Sequence, residues 1–570
     1  MYLWKTLDVD VALAGRMAGE LALPEPVARV LQGLGLTGVE QVGRFMNPRL
    51  ADLGDPLLVA GMGPAVERIW RAIERRESVA VFGDYDVDGI TSTCLLIKLL
   101  SRFGLQVAPW MPNRLSEGFG FSVIALQRCL REFRPSLVIT ADCGTNAADA
   151  VKAAAGEGID VVVTDHHEPV GALAGACAVV NPKLGSDDDL KRLAGVGVAF
   201  KLCHALIKHG RTLDDAQAQG VDLREYLDLV ALGTVADIVP LRGENRIFVR
   251  HGLNGFVNTP SVGLRALIDA ANIREAVDTY HLGFYLGPRL NAAGRLGGAD
   301  VALELLLTDH APRATKLAME LNATNRERQE LEHRILAEAL LEIEAQFDSA
   351  NLFGIAVGKE GWHKGVVGNV ASRLASRRNR PSVVIAFEPD GAGRGSCRSI
   401  PRFNILKSLE QCADLLVEFG GHAMAAGIDI KRERFPEFQK RFNALVRSEL
   451  ENSDLRPVLS ISAWVELGDI DECLMKGVEA LRPFGLQNPT PVWAVRNVLL
   501  PAAPRRVGQS KNHLAFTVES GRGARLRAIG FGMGDRAIPD GPLDIAFQLR
   551  RDSRNTGDFE LLLQDIRASA

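Results

Sequence analysis

Gly83-Asp84-Tyr85-Asp86-Val87-Asp88-Gly89 follows directly on residues 78–82, the β-branched run SVAVF, and this junction decides how the fold is read. The same grammar recurs twice. Residues 137–140 (LVIT) run into Ala141-Asp142, and residues 161–164 (VVVT) into Asp165-His166-His167. Short β-branched runs alternating with longer helix-like stretches predict an α/β unit, a parallel sheet with helices on its faces. Open parallel sheets bind ligands at the carboxyl ends of their strands, so acids up to about eighty positions apart should meet in one crevice. A fourth acid, Asp237 in Gly233-Thr234-Val235-Ala236-Asp237, follows another apolar stretch.

A lone DxDG is most often a turn or a helix N-cap, and a lone His-His pair is usually incidental. The repetition at three strand ends argues for a site. Crowded carboxylates repel and take up protons unless a cation neutralises them. Carboxylates with one or two imidazoles and no thiolate suit Mn²⁺ or Mg²⁺ better than structural Zn²⁺. Two such ions about 4 Å apart suit in-line phosphoryl displacement.

The chain has 570 residues, too many for one hydrophobic core, so several domains are expected. Lys+Arg 66 against Asp+Glu 70 leaves a net charge of -4, which does not advertise nucleic-acid binding but does not oppose it, since local basic and acidic sites cancel in a sum. The eight cysteines are scattered without a CxxC pair, as in a reducing compartment. No signal-peptide core opens the chain and no run nears the ~20 apolar residues of a membrane helix, so a cytoplasmic protein without membrane contact is expected. The organisation expected is a mostly helical lead-in over 1–75, the α/β catalytic domain over 76–312, a connecting helix over 313–348 in a stretch free of Gly and Pro, a second α/β domain over 349–452 and a β-rich segment over 453–570.

Other stretches carry anion-binding chemistry. Arg114 lies on a Gly-rich loop with Phe119, suited to a phosphate and a base. Arg289 and Arg295 bracket small residues in GPRLNAAGR. Gly395-Ser396-Cys397-Arg398-Ser399 and Gly420-Gly421-His422-Ala423-Met424-Ala425-Ala426-Gly427 read as Gly-rich loops whose backbone N–H groups can cradle a phosphate.

GDYDVDGITST, ITADCGT, VTDHHEP and ALGTVADIVPL resemble, in order, the four motifs of the DHH phosphoesterases, and GGHAMAAG resembles the signature of the DHH-associated (DHHA1) domain. That resemblance implies two metal ions held by Asp86, Asp88, Asp142, His166 and Asp237, with Asp142 bridging. Asp84 and His167 would stand beside them as auxiliary ligand, substrate contact or proton donor. One departure is Phe82, where family II pyrophosphatases carry a His, so the first ion would be held more weakly or by Asp84. The linker residues Leu321-Asn322 to Asn325 with Arg328-Gln329, the run Trp362-His363-Lys364-Gly365, and Leu481 to Pro489 resemble the RecJ exonucleases in particular, with Gln487 where a Gly is expected.

RecJ likeness implies an oligonucleotide-binding (OB-like) barrel at the end of the chain, with Arg505, Arg506, Lys511, Arg522, Arg525 and Arg527 near its groove. It also implies a single DNA strand threading between the two α/β domains, water attack on the phosphorus between the first two nucleotides, and release of 5′-mononucleotides. Arg289 or Arg295, with Ser396 and Arg398, would hold the 5′ phosphate, and His422 would lie near the scissile group. The setting implied is DNA repair and recombination, with a single-strand-binding protein and a RecQ-type helicase as partners. Two other readings stay open: a DHH phosphodiesterase acting on short oligonucleotides or cyclic dinucleotides, and a non-catalytic DNA-binding relative.

Overall fold

The computed structural model describes residues 2–112, 117, 120–173, 175–296, 298–346, 351–552 and 559–569. Arg114 lies outside them. The chain divides into two units, one of residues 292–297 and 319–457, the other of residues 2–291, 298–318 and 458–570.

The larger unit begins with β1 (Leu3–Thr6) and continues into a five-stranded, all-parallel sheet of β2 (Ser78–Gly83), β3 (Gln106–Trp110), β4 (Leu137–Ala141), β5 (Asp160–Thr164) and β6 (Ala178–Val180), in the order β3-β2-β4-β5-β6. β4 is buried at every position and β2 and β5 at all but the first, the pattern of parallel strands covered on both faces. The chain leaves β2 for β3 on one side and returns to β4 on the other. The order therefore reverses between β2 and β4, where Gly83-Asp84 and Asp142 emerge. Phe82 is wholly buried against Trp110 and Phe121, so this position is core and not a ligand position.

The smaller unit holds most of one helix, Ala311–Gln346, and a mixed sheet of β7 (Ile355–Glu360), β8 (Ser382–Phe387), β9 (Ala392–Arg398), β10 (Leu416–Gly421) and β11 (Ala425–Lys431) in the order β10-β11-β9-β8-β7. Only β7 and β8 run parallel. The Gly-rich run around Ser396 is thus a strand, not a loop: Ser396 pairs with Gly427, which pairs with Gly420. The ladder occupies these backbone groups, so an anion there must be met by side chains.

The larger unit closes with β12 (Val458–Ile461), which pairs in parallel with β1, and with β13 (Ala463–Trp464), β14 (Trp493–Val498), β15 (Arg505–Val507), β16 (His513–Glu519), β17 (Arg525–Gly530), β18 (Leu543–Arg551) and β19 (Phe559–Ala568). The last seven form one sheet, β13-β14-β18-β19-β17-β16-β15. Its core also contains Ala14, Met17, Val27, Leu31, Val42 and Phe45, so the helical lead-in is part of the C-terminal core. No helix is long and apolar enough to cross a membrane among the described residues.

Candidate active site

Each acid reaches the carboxyl edge of the sheet by a definable local structure. The Asp84 amide donates to the Ala141 carbonyl (3.2 Å) and ties the end of β2 to that of β4. Asp86 caps the helix Val87–Arg102, its carboxylate accepting from the Gly89 amide at 3.0 Å. Asp88, in the first turn of that helix, accepts from the amides of Gly195 (2.6 Å) and Val196 (2.8 Å), the first residues of the helix Gly195–Thr212. Asp142 leaves β4 with φ 63°, a left-handed backbone that Asp tolerates better than most residues, and its amide donates to Thr164. Gly195 faces it so closely that a Cβ there would lie 2.6 Å from the Asp142 carboxylate. Asp237 is not at a strand end; it closes the helix Leu227–Ala236.

Asp84, Asp86, Asp88, Asp142, His166, His167 and Asp237 are thereby gathered in one place. Three overlapping sets bring their ligand atoms within 4.8 Å of one another: Asp84, Asp86 and Asp142; Asp88, His166 and Asp237; and Asp142, His166 and His167. His166 Nδ1 donates to the Leu193 carbonyl at 3.0 Å, which turns the Nε2 lone pair inward. That Nε2 lies 3.2 Å from Asp142 Oδ1, 3.6 Å from Asp237 and 3.8 Å from Asp88. Neither His166 Nε2 nor Asp142 Oδ1 has a hydrogen-bond partner, although both are buried. A lone pair set against carboxylate oxygens is repulsive until a cation sits among them, so this donor set fits divalent metal.

Electrostatics say the same. Burial and then Asp86 push Asp88 up to about 7, against the pull of its two amide donors. Burial, with Asp88 and Asp86 next, raises Asp142 and Asp237 well above the usual carboxylate range. Burial, with His167 beside it, pushes His166 down to about 4 and keeps it a neutral ligand. His167 behaves oppositely. Its Nδ1 lies 2.7 Å from Asp165, and that hydrogen bond raises its pKa despite burial.

Asp165 ends an apolar run like the other acids, but the sequence reading gave it no role of its own. It accepts from the amides of Thr145, His166 and His167 as well as from the His167 ring. Burial would raise this carboxyl, but His167 and Thr145 outweigh it and hold it below the ordinary range. Asn291 was also missed: its carboxamide oxygen accepts from the Val87 amide (3.1 Å) at the start of the helix carrying Asp88. Both lie inside motifs that the sequence singles out, VTDHHEP and GPRLNAAGR, but nothing in those motifs sets either residue apart.

In the smaller unit, Arg398 donates to Ser372 (3.1 Å) and Ser396 (2.9 Å). Gly368, in the first turn of the helix Val367–Arg378, leaves room that a Cβ would fill 3.2 Å from Ser396 Oγ and 3.6 Å from Arg398 Nη2. Arg295 donates to the Gly365 carbonyl just ahead of this helix. Arg289 belongs to the larger unit, where it donates to the Tyr285 carbonyl. His422 is exposed at the β10–β11 turn, its amide donating to Ala425.

The parallel sheet, the acid and histidine cluster at its switch point, and the mixed-sheet unit define a DHH-type phosphoesterase. Family models agree: the DHH family N-terminal domain matches residues 78–234, the DHHA1 domain 350–448 and the RecJ OB domain 461–565. The single-stranded-DNA-specific exonuclease RecJ of Bacillus subtilis is 38% identical over 99% of this chain and 71% of its own length, and that of Dickeya dadantii 38% identical over 98% and 100%. The crystal structure of RecJ from Thermus thermophilus in complex with Mn²⁺ superposes with TM-score 0.84 at 30% identity, covering 100% of this chain and 80% of that one; the Mg²⁺ complex gives 0.78 at 29%, covering 100% and 78%. The chain belongs to the RecJ family of exonucleases.

Proposed function

We propose that this protein hydrolyses single-stranded DNA from the 5′ end with two Mn²⁺ or Mg²⁺ ions and releases 5′-mononucleotides. The observation that carries the reading is the buried, partnerless pair of His166 Nε2 and Asp142 Oδ1 among Asp88 and Asp237. Asp84, Asp86 and Asp142 would hold one ion and Asp88, His166 and Asp237 the other, with Asp142 reaching both. Bound there, the ions would supply a water of lowered pKa and neutralise charge on the phosphoryl oxygens.

The chain's own groups do the rest. His167, whose pKa the Asp165 hydrogen bond raises, would hold a proton at Nε2 for the departing 3′ oxygen. Ser396, Arg398 and Arg295 would take the terminal phosphate beside the start of the helix Val367–Arg378, where the helix dipole favours anions. Such a pocket selects a strand end, because a terminal phosphate carries one charge more than a phosphodiester and one ester substituent fewer. His422 near the scissile group stays part of this proposal. So do a role in repair and recombination and the single-strand-binding and RecQ-type partners, supported by the family likeness. A reducing, cytoplasmic setting is supported by eight free cysteines.

The test is one single strand labelled at either end, digested with Mn²⁺ by wild type and Arg398→Ala. Mononucleotide should leave the 5′ label first. Arg398→Ala should weaken binding of a 5′-phosphorylated strand by about 1.5–3 kcal/mol, roughly tenfold to more than a hundredfold, and a 5′-hydroxyl strand much less. First release from the 3′ label, or equal losses on both 5′ chemistries, would overturn the polarity.

A further inference from the structure

One residue beyond Asp237 the surface turns apolar. Ile238 is 70% exposed and holds φ 60°, a left-handed conformation that is a genuine outlier for a β-branched residue and is retained where the surroundings impose it. It stands at the lip of a pocket of about 380 Å³ that runs from the end of the helix Leu227–Ala236 to Phe484 and Leu486, all within the larger unit. Among the described residues lining it none carries a charge; the side-chain polar groups are the hydroxyls of Thr279, Tyr280 and Thr490.

The opposite wall is aromatic and unusually open. Tyr280 is 56% and Phe284 68% exposed, their rings 4.8 Å apart and tilted by 33°. Phe284 sits on a π-helical turn, Leu282–Leu286. Such a turn inserts an extra residue into a helix and is frequent at functional sites. The same segment leads into Arg289, whose guanidinium is held by the Tyr285 carbonyl, and into Asn291, which binds the start of the metal-site helix. On the other side Arg482 lies over the Phe484 ring at 5.7 Å, with Nη1 3.7 Å from the Asp278 carboxylate.

Exposed aromatic faces cost free energy in water and imply a partner. Two features say which: the pocket abuts a residue of the metal site, and the apolar wall is flanked by guanidinium groups. A nucleotide offers that combination, a flat π-face joined to phosphates. Resting on the function proposed above, we propose that this pocket takes a nucleobase of the strand held at the metal centre, stacked on Tyr280 and Phe284 and bounded by Ile238 and Leu486. The lining has no amide or charged side chain to read a base edge. The contact is therefore tolerant of sequence, and it fixes the position of the strand rather than its identity.

The experiment uses the full chain in excess chelator, so that strands bind uncut, with 5′-phosphorylated oligonucleotides carrying 2-aminopurine singly at successive positions from the 5′ end. One or two adjacent positions should be quenched on binding. Tyr280→Ala/Phe284→Ala should abolish that local quench and weaken affinity roughly tenfold to a hundredfold, while Phe284→Trp keeps both. An abasic site at the quenched position should reproduce the loss in wild type and cost the double variant nothing further. The proposal is overturned if wild type binds and degrades single strands but the double variant has the same affinity and the same quench, which would give the pocket to another occupant such as a protein. If wild type neither binds nor degrades single strands, the function proposed above has failed first.

Discussion

Asp88, Asp142 and Asp237 face one another with His166 Nε2 between them, and three buried carboxyls held above their ordinary range make the metal-free protein sensitive to alkali. A group whose folded pKa is raised contributes stability below its unfolded pKa, about 4 for Asp, and loses that contribution as pH climbs through the folded value, about 7 for Asp88. In chelator the melting temperature should therefore fall between about pH 4 and pH 8, by a free energy on the order of a few kcal/mol. Asp142→Asn should flatten the curve, and Mn²⁺ should abolish it in wild type; a flat curve in chelated wild type would exclude the metal assignment. Asp165 acts one bond further out, as a positioning residue for His167. If His167 must be protonated, activity is lost as pH rises past its pKa, and Asp165→Asn, by lowering that pKa, should move the alkaline limb of the pH–rate profile downward and cut turnover about tenfold to a hundredfold at about pH 8. An unmoved limb would reduce Asp165 to packing. The clustered acids were legible in the sequence because they follow apolar runs. Asp165 also ends one, but only the structure shows that its carboxylate turns back onto the Thr145 amide and the His167 ring instead of joining the cluster.

At the scale of elements, β2, β4 and β5 were readable because a doubly covered parallel strand is written as a continuous apolar run. β9 was not, because glycines usually argue against strands. Here they are imposed by neighbours: a Cβ on Gly395 would lie 2.7 Å from Ile428 and 2.9 Å from Ile385, and one on Gly393 2.5 Å from Phe387. Side chains from adjoining strands fill the space, and nothing local to AGRGSCR announces them. The long helix was legible from its composition, but not its chief polar anchor. Glu332, 1% exposed, accepts from Arg328 (2.5 Å) and Asn369 (3.3 Å) and pairs with Arg373, which fastens Ala311–Gln346 to Val367–Arg378 within the smaller unit. Removing one partner of a buried pair strands the other, so Glu332→Ala should destabilise by about 3–5 kcal/mol, read by denaturant unfolding. A change below about 1 kcal/mol would mean that water already screens this network.

For the molecule as a whole, the N-terminal stretch packs onto the C-terminal part of the larger unit: β1 pairs with β12 residue for residue, and the first three helices bury their apolar faces in the core of the C-terminal sheet. Arg246, 2% exposed, donates to the carbonyls of Phe45, Leu481, Arg482 and Pro483, and burial pushes its pKa down to about 9. No sequence pattern announced this, because periodicity shows that a helix has an apolar face but not which distant segment covers it. Cutting the chain near residue 457 would therefore uncover the lead-in helices and orphan a buried guanidinium, so truncation is a poor test of whether the C-terminal sheet binds DNA. Surface substitution is a better one. Arg506, Arg525 and Arg527 are paired with Asp535, Glu519 and Glu560, which blunts them as phosphate contacts, whereas Arg505 and Arg522 are exposed and form no ion pair among the described residues. Each cation that neutralises a phosphate of a single strand contributes about 0.7 to the slope of log K against log salt. Arg505→Ala/Arg522→Ala should thus lower the slope for a long strand by about 1.4, while turnover of a saturating strand too short to reach the sheet stays as in wild type. An unchanged slope in a folded double variant would take this face off the path of the DNA.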